Sequence, residues 1–190
     1  QTIPTSGQPI VKSGFKFLVW GFALRSALYA LRFSKKGKNM DATVLAQLKD
    51  LGISAAVALA AVGSGLGAGY AGMAAVGAWK KCYAQGKAAP FLLLALVGAP
   101  LTQTIYGFLL LLTLRGLVAQ GVYAWGFGIF GGLALGVSAM MQGKAAASAC
   151  DALAETGKGF TNYMIVLGII ETVALFVMVF FMISANAIAP

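Results

Sequence analysis

Four stretches of this chain, each longer than the ~20 apolar residues that cross ~30 Å of hydrocarbon as a helix, limit what it can fold into. They cover about 51–79, 91–114, a third run from about Val122 onward, and 163–185. Lipid offers backbone amides no partner, so each stretch must satisfy its own as a helix. A membrane barrel would show segments of ~10 residues with alternating polarity, and this chain has none. Only 10% of the 190 residues are charged, against about 25% in a typical soluble domain. The chain is therefore read as an all-α membrane protein with four transmembrane helices. Its excess of 14 basic over 5 acidic residues is read as basic loops facing anionic headgroups, not as a nucleic-acid surface.

The connections are short, and two of them are basic. Lys80, Lys81 and Lys87 lie between the first and second spans, and Lys158 between the third and fourth; Arg115 stands near the middle connection. The positive-inside rule places the first and last loops in the cytoplasm. Sliding the chain by 68 residues sets Gly63 on Gly131, Cys82 on Cys150, Thr104 on Thr172 and Gln103 on Glu171. The pattern is a small-residue helix, a basic tip, and a larger apolar helix with a polar residue midway. It reads as two fused helical hairpins in parallel orientation, 40–119 and 120–190. Residues 1–39 stand outside the repeat. They mix apolar residues with Lys16, Arg25 and Arg32, and are read as an interfacial basic helix, an additional helix or a leader.

Two features are read as packing. The runs 67–72 and 126–131 have the glycine spacing of a dinucleotide fingerprint, but neither follows a strand or opens a βαβ unit. Small residues in membrane helices instead let backbones approach closely. Cys82 and Cys150, in a chain without His, form no metal-ligand cluster and are read as inert.

Among the acids, Asp41, Asp50, Asp151 and Glu155 fall near helix ends or loops, and Glu171 alone falls inside a span. A charge at the bilayer centre costs at least ~2.5–3.5 kcal/mol, so Glu171 is the candidate carrier of a small cation. Glu171 lies 14 residues past Gly157, and Gln142 lies 15 before it. At 1.5 Å per residue both stand about 21–22 Å from that tip, at one depth on neighbouring helices. Gln103, 17 residues past Gly86, reaches a similar depth. Thr102 precedes it, and Pro100 removes a backbone donor and frees the carbonyl of an earlier residue. One carboxylate, two amides, a hydroxyl and a carbonyl make a hard, oxygen-rich environment. The extra oxygens favour sodium, and the proton stays an alternative. Tyr106, three residues after Gln103, is placed to steady the Glu171 carboxylate or to anchor at the membrane interface. Thr172 faces another direction. A small secondary transporter and a purely structural four-helix protein are the competing readings.

The order of these pieces resembles the membrane rotor subunit (proteolipid, or K/c subunit) of V-type rotary ATPases, particularly the bacterial sodium-translocating kind. The pieces are Gly63-Ser64-Gly65-Leu66-Gly67, then Pro100-Leu101-Thr102-Gln103 with Tyr106-Gly107-Phe108, then Gln142-Gly143-Lys144, then Glu171-Thr172. The resemblance covers about 41–189. It implies a ring of identical subunits in lipid, in which Glu171 carries the ion. Thr102, Gln103, Gln142 and the backbone of Ala99 would complete a Na+ site, with H+ as the alternative, and Tyr106 would support the carboxylate. The family often has Leu where this chain has Ala99, but a carbonyl does not depend on its side chain. The resemblance also implies a stator subunit that offers an arginine, central-stalk subunits at the cytoplasmic loops, and a bacterial cell membrane. It implies no catalytic site and no nucleotide on this chain, which would be a non-catalytic subunit of an ion-translocating ATPase.

Overall fold

The computed structural model describes residues 42–187. The chain divides after Leu45, and the account below concerns the second unit, from Ala46 onward. The reading of 1–39 lies outside the described residues. Five helices account for nearly everything: α1 (Ala42–Ala84), α2 (Leu93–Gly98), α3 (Thr102–Ala119), α4 (Trp125–Thr156) and α5 (Phe160–Asn186). No strand occurs among the described residues. A 3-10 turn at Ala99–Leu101 joins α2 to α3, so the two form one interrupted span. Among the described residues four helices are long and apolar enough to cross a membrane: Asp50–Ala84, Leu93–Ala119, Trp125–Thr156 and Phe160–Asn186.

The ends of these helices follow local chemistry. Gly157 takes φ 66° and closes α4, its amide donating to the Leu153 carbonyl. This left-handed cap suits glycine, which has no Cβ to clash. Gly86, with φ 63°, turns the chain after α1 in the same way. The interruption at Ala99–Leu101 follows from Pro100, which cannot donate to the helical ladder. Glu155, set near a helix end or loop by sequence, lies in the last turn of α4 and pairs with Lys81 at the tip of α1. Both side chains are about half exposed, at 50% and 45%, so this bridge adds little stability.

Backbone makes the contact between α1 and α4. A Cβ added to Gly128 would lie 1.7 Å from the Gly52 carbonyl oxygen. One on Gly63 would lie 2.0 Å from that of Gly136, and one on Gly143 2.1 Å from that of Gly67. These pairs climb both helices in the same direction, so α1 and α4 run parallel. Around this seam the larger side chains of the other helices fill in. Leu93 and Leu96 of α2, with Leu167 of α5, cover Ala71, Ala75, Ala146 and Cys150. Leu110 and Leu114 of α3 cover Ala56 at another level. Cys82 and Cys150 are both free and buried. In lipid the gain from such packing is dispersion and close fit, because lipid tails are as apolar as leucine. The outer surface of α5 stays apolar, with Ile169, Val173, Phe176, Phe180 and Ile183 exposed.

The seam yields a stability prediction. Gly143→Val places side-chain atoms inside the Gly67 backbone and should destabilise the fold by about 1–3 kcal/mol or more. Gly116→Ala, where an added Cβ meets nothing within 4 Å, should stay near wild type. Unfolding in graded sodium dodecyl sulfate compares the two.

Candidate ion-binding site

The site is built where α3, α4 and α5 meet at mid-span. Glu171 lies in α5, a little over three turns past the Gly159 cap, and is partly buried. Both its carboxylate oxygens have donors. Tyr106 Oη on α3 donates to Oε1 at 2.6 Å, a short bond of the kind a charged acceptor makes. Gln142 Nε2 on α4 donates to Oε2 at 3.3 Å.

Gln142 links the rest. Its Nε2 also donates to the Leu167 carbonyl at 3.0 Å, one helical turn before Glu171. Its Oε1 accepts from Gln103 Nε2 at 2.8 Å. Gln103 is fully buried and Gln142 is 1% exposed, so each amide must find partners inside the protein. The next residue, Gly143, brings α4 against the backbone of Gly67 on α1.

Thr102 completes the chain of contacts. Its Oγ1 lies 3.1 Å from the Ala99 carbonyl and 3.2 Å from Gln103 Oε1, with its single proton available to either. The sequence expects a freed carbonyl near Pro100. A missing Pro100 N–H leaves without its donor a carbonyl three or four residues earlier, Val97 or Leu96; the Ala99 carbonyl lies in the 3-10 turn itself, where the Thr102 hydroxyl three residues on reaches it. Glu171, Gln142, Gln103, Thr102, Ala99 and Tyr106 therefore form one connected network. Thr172 stands apart: its hydroxyl donates to the Ile169 carbonyl of its own helix at 2.7 Å.

One participant escapes the sequence reading. Ser138 Oγ donates to the Ile170 carbonyl at 3.1 Å and so ties α4 to the backbone immediately before Glu171. Its position four residues before Gln142, on the same helix face, is the signal that identifies it.

Comparison with known proteins bears on the second hairpin. Residues 125–184 match the family of the ATP synthase C subunit. The matched stretch contains Gln142 and Glu171 and covers α4 with nearly all of α5. No curated protein matches the chain. The family is that of a non-catalytic membrane rotor protein, and a ring is its typical assembly. Together with the four apolar helices among the described residues, the match supports an integral, multi-pass membrane protein.

Removing the shortest bond of the network gives a direct test of its geometry. Tyr106→Phe leaves Glu171 Oε1 without its donor and should speed carbodiimide modification of Glu171 several-fold at a fixed pH. Thr172→Val, which removes a hydroxyl that never reaches the carboxylate, should leave the rate unchanged. Mass spectrometry of the labelled peptide measures both.

Proposed function

We propose that this chain is the rotor-ring subunit of a rotary V-type ATPase and carries sodium as its cargo on Glu171. One observation carries the reading: a single carboxylate is joined to four neutral oxygens from two other helices, with no second acid among the described residues of the network. The donor set is entirely oxygen, which suits a hard cation. The charge count selects a monovalent one. One carboxylate and one sodium sum to zero, and a neutral pair can face lipid at far lower cost than an ion.

Gln142 Oε1 accepts one hydrogen bond and keeps a second lone pair, and the single Thr102 proton serves either the Ala99 or the Gln103 oxygen. Tyr106 holds Oε1, and Oε2 faces the Gln142 amide nitrogen. Cargo entering there would be held by Glu171 Oε2, the two glutamine oxygens, Thr102 Oγ1 and the Ala99 carbonyl. While loaded, the carboxylate is neutralised and the subunit travels through lipid. At a stator subunit an arginine would pair with Glu171 and the cargo would leave. The basic ends of the first and third spans, with Lys80, Lys81, Lys87 and Lys158, would face the cytoplasm of a bacterial cell and meet the central stalk.

Carbodiimide labelling of Glu171 in the intact assembly at mildly acidic pH tests the cargo. Sodium should protect Glu171, and the sodium needed for half protection should rise as pH falls, because protons compete for the same carboxyl. Glu171→Gln should abolish both labelling and ion-coupled ATP hydrolysis. Labelling that sodium leaves unchanged would assign the proton as the coupling ion. An unreactive Glu171 would remove the carrier role, and a solubilised monomer or dimer in place of a large ring would favour a secondary transporter.

A further inference from the structure

Ser64 Oγ is the one buried side-chain polar atom among the described residues that has no hydrogen-bond partner. The residue is 2% exposed, and a hydroxyl held from water without a partner is costly. Its surroundings follow from the packing of α1 against α3. A Cβ on Gly107 would lie 2.7 Å from the Ala60 Cβ, and one on Gly67 would lie 2.9 Å from the Pro100 Cβ. These two contacts fix the register of the antiparallel pair. Ser64 is four residues after Ala60 and three before Gly67; Gln103 is four before Gly107 and three after Pro100. Steps of three and four stay on one helix face, so both contacts place Ser64 opposite Gln103.

A serine at a similar height on α4 makes such a bond. Ser138, four residues before Gln142 on α4, donates to the carbonyl just before Glu171. The contacts of Gly63 with Gly136 and of Gly67 with Gly143 set Ser64 near that height on α1, although the 68-residue repeat sets it on Gly132, and its hydroxyl is unused. The Gln103 amide has a reason to need it. Gln103 Nε2 donates to Gln142 Oε1, an oxygen counted above among those that hold the cargo. A cation on that oxygen repels the N–H dipole aimed at it, and the buried amide must then turn to another acceptor.

We propose that Ser64 is a positioning residue of the cation site: its hydroxyl oxygen accepts from Gln103 Nε2 when the Gln103 and Gln142 side-chain oxygens turn onto a monovalent cation. The proposal rests on the sodium reading given above. Ser64 does not touch the cargo. It fixes the amide whose oxygen does, and the loaded and unloaded arrangements differ in which acceptor that amide uses.

Sodium titration of carbodiimide labelling tests it in the full chain, assembled in native membranes. In Ser64→Ala the sodium concentration for half protection should rise by up to about tenfold, the scale of one hydrogen bond. The labelling rate without sodium and the electrophoretic stability of the assembly should match wild type. Ser64→Cys, close in size but a weak acceptor, should shift the midpoint in the same direction, and it decides the matter if the alanine variant does not assemble. A midpoint unchanged in both variants overturns the proposal. So does an equal change of labelling rate with and without sodium, which would mean that Ser64 acts only on the exposure of Glu171. Wild-type protein that sodium does not protect overturns the sodium reading itself and this proposal with it; because that failure shows in the unmutated protein, it is told apart from failure of Ser64 alone.

Discussion

The backbone contact between α1 and α4 governs the geometry of everything around it. Glycine on both helices brings carbonyl groups to where a side chain would otherwise stand. A seam this narrow keeps the two helices from holding α2, α3 and α5 apart. The outer helices can then converge on α4 closely enough for one glutamine, Gln142, to bond to Gln103 on one side and Glu171 on the other. Replace the seam with leucine-sized residues and the amide no longer spans the gap. Close packing and polar chemistry, often treated separately in membrane proteins, are linked here by side-chain length.

Within that frame the network resolves a conflict of polar groups in an apolar medium. Two buried amides, a hydroxyl, a phenol and a carboxylate would each be unfavourable in lipid alone. Joined, they satisfy one another through a sequence of donors and acceptors that also sets amide orientation. Gln142 must direct its nitrogen at Leu167 and Glu171, and its oxygen at Gln103, because reversal would set oxygen against carbonyl and carboxylate. Partners on α3 and α5 thus fix which way the Gln142 amide faces in this arrangement.

Much of this could be read from residue order, and the rest could not, for identifiable reasons. Glu171 is conspicuous because nothing else in its span is charged. Counting residues from the glycine tips is enough to bring Gln142 and Gln103 to its depth, since helical rise is constant. Pro100 marks the interruption of the second span, although the hydroxyl that caps the Ala99 carbonyl depends on the turn being 3-10. Hydropathy loses the first turns of α1, where Lys49 and Asp50 end the apolar run while the backbone ladder continues from Ala42. The 68-residue repeat sets Gly63 on Gly131, yet in space Gly63 meets Gly136. Likeness between repeats records common pattern, and packing register depends on how two surfaces fit. Ser138 was hidden because a serine among glycines and alanines looks like one more small residue.

The replacement of a carboxylate by Gln103 in the first hairpin has a consequence for work. A ring made of such chains would present one mid-span carboxylate for every two hairpins. The arc between successive charges is then that of two hairpins, and a full turn moves fewer ions than a ring of equal girth with a charge on every hairpin. Fewer ions share the energy of each turn, so each can be driven against a steeper gradient. In such a ring one charge fewer would mean a low gear, suited to building a large ion difference and poorly suited to rapid flux.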